Sequence, residues 1–104
     1  MKPSAGSIIT TKGAVSSNGT DEAPAIITRV WGDKDPAVDG KVLVNSTVFP
    51  DCGDQKLASS IPLFETRAEA LAEQERVNAI GDNRAMFRQR GMSGPMVAFW
   101  PDRV

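Results

Sequence analysis

The stretch Lys41–Gly53, KVLVNSTVFPDCG, decides the reading of this chain. Its side chains alternate as they do along a strand. Val42, Val44, Ser46 and Val48 fall on one face, and Leu43, Asn45, Thr47 and Phe49 on the other. Pro50-Asp51-Cys52-Gly53 then supplies the fixed φ, the side-chain acceptor and the permissive backbone of a tight turn. We therefore expect a strand over Lys41–Pro50 that runs straight into a turn at Asp51–Gln55.

Working backwards, Pro24–Trp31 (PAIITRVW) is a second clear strand. Ile26, Thr28 and Val30 share one face; Ala25, Ile27, Arg29 and Trp31 share the other. Pro24 lacks a ladder donor, which suits a strand's first position or an edge. Gly32–Gly40 (GDKDPAVDG) is a polar hairpin connection between these strands. Its aspartates resemble a calcium loop, but their spacing is wrong and Pro36 stands where a ligand should be. Earlier still, Ser7–Thr11 (SIITT) is a short β-branched strand, and Lys12–Ala23 has the Gly, Ser and Asn content of a loop or wide hairpin.

Working forwards, Leu57–Phe64 (LASSIPLF) is a fourth strand, with Pro62 marking an edge or bulge. At Thr66 the period changes. Thr66-x-x-Glu69 is a capping box, and a helix is predicted over Arg67–Ile80 with Gly81 as its stop. Its apolar positions Leu71, Val77 and Ile80 make no sharp stripe, so the helix is expected to rest on the sheet by one shallow face. Asp82–Arg90 is read as a second short helix, Gly91–Pro95 as a break, and Met96–Trp100 (MVAFW) as the last strand. The expected fold is mainly β: one domain over residues 1–104, a small SH3-like antiparallel barrel with a helical insertion at about 66–90. An open α+β sheet is the alternative.

Composition removes most chemistries. The 104 residues contain no His and one Cys, which excludes Ser-His-Asp and Cys-His sites, an intrachain disulfide and a Cys-based zinc cluster. No catalytic motif stands out; the protein is read as a non-enzyme with no cofactor and no metal. A net charge of −1 and pI near 5.3 give no global attraction to nucleic acid or anionic membrane. No apolar run is long enough to span a bilayer, and MKPSAGS has no apolar core for a secretory signal.

Local features carry the candidate sites. Arg84, Arg88 and Arg90 form a basic cluster, with Arg84 and Arg88 one helical turn apart. Planar guanidinium forks suit phosphate or carboxylate. The competing reading is a solvated face paired with Glu73, Glu75 or Asp82. Among the aromatics, Trp31 and Trp100 stand at strand ends beside turns and are the candidate stacking platforms; core packing competes for both. Arg29 shares a face with Trp31 and is placed for a cation beside a ring. The candidate ligand-binding set is thus Arg29, Trp31, Arg84, Arg88, Arg90 and Trp100. A site, if formed, is expected where the turn-side residues of Lys41–Gly53 meet the Arg84–Arg90 segment and Trp100. Cys52 is a turn cysteine, expected as a free thiol. Gly91-Met92-Ser93-Gly94 matches a GxxG spacing without the fold that would make it a nucleic-acid clamp.

PAIITRVW, VNSTVFPDCG, the Ser60-Ile61 pair and the closing FWPDRV are also where a family resemblance appears. The chain resembles small, mostly uncharacterised proteins of tailed bacteriophages and prophages with a Pro-Ala-Ile-Ile/Val-Thr-x-Val-Trp, Val-Asn-x-x-Val-Phe-Pro-Asp-x-Gly and terminal Trp-Pro pattern. It departs from shorter members in carrying Thr66–Arg90, and in placing Ser46 where an apolar residue is more usual. The resemblance implies a phage product acting in a bacterial cytoplasm or in a virion, where the sequons at Asn18 and Asn45 have no role. Three functions follow as expectations. The first is a host-directed binding module that sequesters a small anionic ligand such as a nucleotide signal, or blocks a host protein. The second is a virion component, either decoration or connector, contacting other virion proteins. The third is an SH3-like nucleic-acid binder. A homo-oligomer formed by pairing of strand edges is expected under the first two, and no membrane association.

Overall fold

The computed structural model describes residues 2–15, 19–35 and 41–101. Five strands and two helices follow in chain order: β1 Ile8–Ala14, β2 Glu22–Asp35, β3 Lys41–Val48, β4 Lys56–Phe64, α1 Arg67–Asn78, α2 Asn83–Gln89 and β5 Met92–Phe99. The strands close into one barrel in the order β1-β2-β3-β4-β5. Neighbours are antiparallel except β4 and β5, which run parallel and pair only at Leu63–Ala98 and Phe64–Phe99. A parallel pair needs a crossover, and α1 and α2 supply it. The result is a small SH3-like β-barrel with a helical insertion.

β3 behaves as its alternation predicts. Val44, Ser46 and Val48 are buried and Val42 packs against the core, while Phe49 is exposed. With Ile9, Ala25, Ile27, Ile61, Leu63, Ala98 and Trp100 they form the barrel interior. Each large side chain so buried stabilises the fold by ~1.5–3 kcal/mol. A second cluster, Phe64, Val97 and Phe99, lies on the outer side of the sheet beneath Ala70 of α1.

The face assignment of β2 needs correction. Ile27 pairs with Ser46 and Arg29 with Asn45, so Thr28 is an extra residue on β2, a bulge. The bulge reverses parity: Ala25 and Ile27 point inward, and beyond it Val30, not Arg29 or Trp31, packs on the core. A matching irregularity on β4 lies between the Val44–Ile61 and Ser46–Ala58 pairs, where Ser60 takes φ 53°. Asn45 sits between the two bulges. Its Oδ1 accepts the Trp31 Nε1–H at 3.0 Å and the Ser60 backbone N–H at 2.7 Å. One amide oxygen therefore holds both irregularities in place.

The helix starts as its sequence predicts, with Thr66 Oγ1 accepting the Glu69 N–H at 3.2 Å. What it buries is different. Leu71 and Val77 are only half-buried and Ile80 is exposed; the buried face is Ala70, Gln74 and Asn78, at helical spacing. Gln74 Nε2 donates to the Pro95 carbonyl at 3.1 Å, and Asn78 Nδ2 to the Ser93 carbonyl at 3.0 Å. These amides occupy the stretch of β5 that β4 does not reach. Gly94 allows the approach: a Cβ there would lie 3.0 Å from Asn78 Nδ2. Gly91–Pro95 is accordingly not a break, because β5 begins at Met92. β2 likewise extends to Asp35, taking in part of the polar connection. Residues 36–40, which the calcium-loop reading needs, lie outside the described residues.

Candidate functional site

The ends of β1 and β3 and the starts of β2, β4 and β5 surround a groove of about 350 Å³ at one end of the barrel. Its walls are mostly apolar: Ala23, Val48, Ala58, Ile61, Met92 and Met96 line it, and Pro50 and Leu57 stand at its lip. The groove exists because β4 and β5 meet only at their C-terminal ends and splay towards their starts. Met96 reaches this position over Gly13, where a Cβ would come within 2.8 Å of the Met96 Sδ. Two methionines give the wall a flexible, polarisable lining that adapts to ligand shape.

The polar groups at the rim are mostly committed. Asp21 Oδ2 accepts from the buried Lys12 ammonium and from the Ser93 hydroxyl at 2.5 Å, tying β1, the start of β2 and β5 together. Partial burial pushes the Asp21 carboxyl up. The Lys12 and Ser93 hydrogen bonds and the Lys12 charge together outweigh this and hold it below its usual value of 3.8. Glu22 is held in a two-pronged pair by Arg67, both contacts at 3.1 Å. Lys56 is different: it lines the groove, is exposed, and has no ion pair among the described residues. The chemistry on offer is an apolar trough with the Lys56 ammonium and the Asp51 carboxylate at its lip.

None of the six candidate ligand-binding residues lines this groove. Arg29 and Trp31 lie on the outer face of β2, with the guanidinium carbon 4.1 Å from the ring centroid. Arg84, Arg88 and Arg90 are on or beside α2, which packs on β5 and α1. Arg84 is paired with Glu75 at 3.3 Å, while Arg88 and Arg90 have no ion pair among the described residues. Arg84 and Arg88 border a shallow, open concavity with Asn78 and Asp82. Strands β2 and β5 are not neighbours in the barrel, so the Arg29–Trp31 pair and the α2 arginines do not make one site. Trp100 as a surface platform is overturned: it is 8% exposed and packs in the barrel interior, where no base could stack on it.

The expected meeting place is half found. Pro50 and Asp51 of the turn do reach the groove, but they meet Met92 and Met96 of β5 there, not the arginines or Trp100. Cys52 is an exposed free thiol outside the groove. Gly94 of the GxxG spacing is buried against Gln74 and Asn78, which occupies it structurally. Among the described residues no group of three or more Cys, Asp or Glu is placed to hold a metal ion, and no helix is long and apolar enough to cross a membrane. Against known proteins, no family model, no curated protein and no solved structure matches this chain.

Proposed function

We propose that this chain is a non-enzymatic, phage-encoded binding module that acts on the bacterial host by capturing a small anionic ligand with an apolar body. The observation that carries this reading is the barrel-end groove of about 350 Å³, apolar along its walls and with Lys56 at its lip. That volume is at the lower end of small-molecule sites and suits a ligand of mononucleotide size. A planar base lies against Met92, Met96 and Ile61, and a phosphate or carboxylate reaches Lys56. The phage setting, and action in the host cytoplasm, rest on the motif resemblance alone.

The test is thermal unfolding of the purified protein with a panel of linear and cyclic nucleotides. A ligand present at about 100 times its Kd stabilises by ~2.7 kcal/mol. For a domain of this size that raises Tm by roughly 10–20 °C. Lys56→Glu and Ala58→Trp are expected to remove the shift, the first by reversing the charge and the second by filling the groove. No shift with any member of the panel at millimolar concentration overturns the ligand reading.

A virion component is the second reading, and one observation favours it: the outer face of β1–β4 carries an exposed apolar row, Ile8, Ile26 and Leu57, as a lattice contact would require. Mass spectrometry of purified particles separates the two, since a host-directed module is absent from them.

A further inference from the structure

Packing of α1 hides one outer face of the barrel and leaves another bare. Val97, Phe99 and Phe64 are covered by α1, as described above. On β1–β4, by contrast, Ile8, Ile26, Thr47 and Leu57 are successive register partners across four strands, so they form one row on one face. Ile8 is 63% exposed, Ile26 38% and Leu57 84%. Phe49, 39% exposed, stands beside the row, its amide bonded to the Pro24 carbonyl at 2.9 Å. Thr10, Pro24 and Thr28 continue the same face by alternation and register. None of these residues is charged, in a chain whose charged residues are 24% of the total. Arg29 borders the face, its guanidinium laid over Trp31.

We propose that this face is the contact between two copies of this chain related by a two-fold axis. Such an axis sets a surface against itself, so every charge on it meets its like. A row of Ile, Thr and Leu meets itself without that repulsion, and loss of charge is the compositional mark of an interface centre. Scaled by how far each is exposed, Ile8, Ile26, Phe49 and Leu57 together offer on the order of 450 Å², taking roughly 200 Å² for a fully exposed large residue. That is about half of the ~800 Å² each partner gives to a stable interface, and the threonines and Pro24 around them supply more. The closed barrel also redirects the association expected from strand edges: no strand of the five is left without a neighbour on both sides, so copies join by a face.

Sedimentation equilibrium of the full chain tests this. The unmodified protein is expected to be a dimer at ~10–100 µM, the range in which weak to moderate interfaces are populated. Ile8→Glu and Ile26→Thr are expected to move the dimer–monomer midpoint to at least ~10-fold higher protein concentration. Far-UV circular dichroism should stay unchanged in both, and Ile26→Thr keeps a β-branched residue in the strand so that folding is retained. Ile80→Glu, at an exposed position just after the end of α1, is the control and leaves the midpoint in place. A monomer throughout this range overturns the proposal. So does a dimer unmoved by both variants, or a stable complex with another protein that excludes the second copy. Neither Ile8 nor Ile26 touches the groove, so loss of dimerisation and loss of ligand binding are separable.

Discussion

Replacing Asn45 with Ala removes the single acceptor that serves both the Trp31 indole N–H and the Ser60 backbone N–H. Each bond contributes ~1 kcal/mol net. Ser60 is also held at φ 53°, a conformation that costs a non-glycine residue ~1–2 kcal/mol and persists only while its surroundings enforce it. With the acceptor gone, the β4 bulge relaxes and part of that strain is recovered. The expected loss is therefore ~1–1.5 kcal/mol, which lowers Tm by roughly 4–12 °C in a domain of this size. Asn45→Asp keeps an oxygen in the same place and is expected to stay within ~1 kcal/mol of the original protein. Urea unfolding followed by tryptophan fluorescence measures both, and near-UV circular dichroism reports whether the Trp31 ring has lost its fixed setting. If the Ala variant unfolds at the same urea concentration as the original, or the Asp variant falls as far as the Ala variant, the shared acceptor is not what holds the bulges.

Three further outcomes are expected. Ser46 is 2% exposed and its hydroxyl has no hydrogen-bond partner among the described residues, so Ser46→Ala should raise stability by ~1 kcal/mol in denaturant unfolding; a comparable loss would mean the hydroxyl has a partner. Gly94→Ala places a methyl 3.0 Å from Asn78 Nδ2 and 3.3 Å from Gln74 Nε2, and should cost ~2 kcal/mol by pushing both amides off the β5 carbonyls. Hydrogen exchange should then show α1 opening while β2 and β3 stay protected. For Asp21, a carboxyl held below its usual value in the folded protein stabilises above the unfolded value, and that contribution is lost as pH falls through the lower folded value. The stability difference between the original protein and Asp21→Asn should be constant from pH 7 down to about pH 4 and shrink below it, measured by urea unfolding across that range.

The strands were legible because alternation survives in most of them. Val44, Ser46 and Val48 point inward as KVLVNSTV predicts, and Thr66-x-x-Glu69 marks the start of α1. Bulges defeated the rest of the strand reading. Thr28 looks like any other alternating residue, yet it reverses the faces of Arg29, Val30 and Trp31, and no composition signal announces it. The buried face of α1 was hidden for a different reason. Gln74 and Asn78 read as solvated side chains, and only the Pro95 and Ser93 carbonyls that accept from them make them interior groups. The groove was invisible because its walls come from five strands and are built of ordinary apolar residues. The arginines and tryptophans that stand out in the sequence end up on separate elements, or, for Trp100, inside the core. The Met92 and Met96 pair was the one local signal available, and it reads equally well as core.

The most direct test of the groove as the binding site is an amide chemical-shift titration with the nucleotide that most raises Tm. We expect the perturbed amides to cluster at Ala23, Val48, Lys56, Ala58, Met92 and Met96, around the barrel end. Perturbations centred on Arg84 and Arg88 of α2, or on Arg29 and Trp31 of β2, would contradict it and move the site to the surfaces that the charged and aromatic residues occupy.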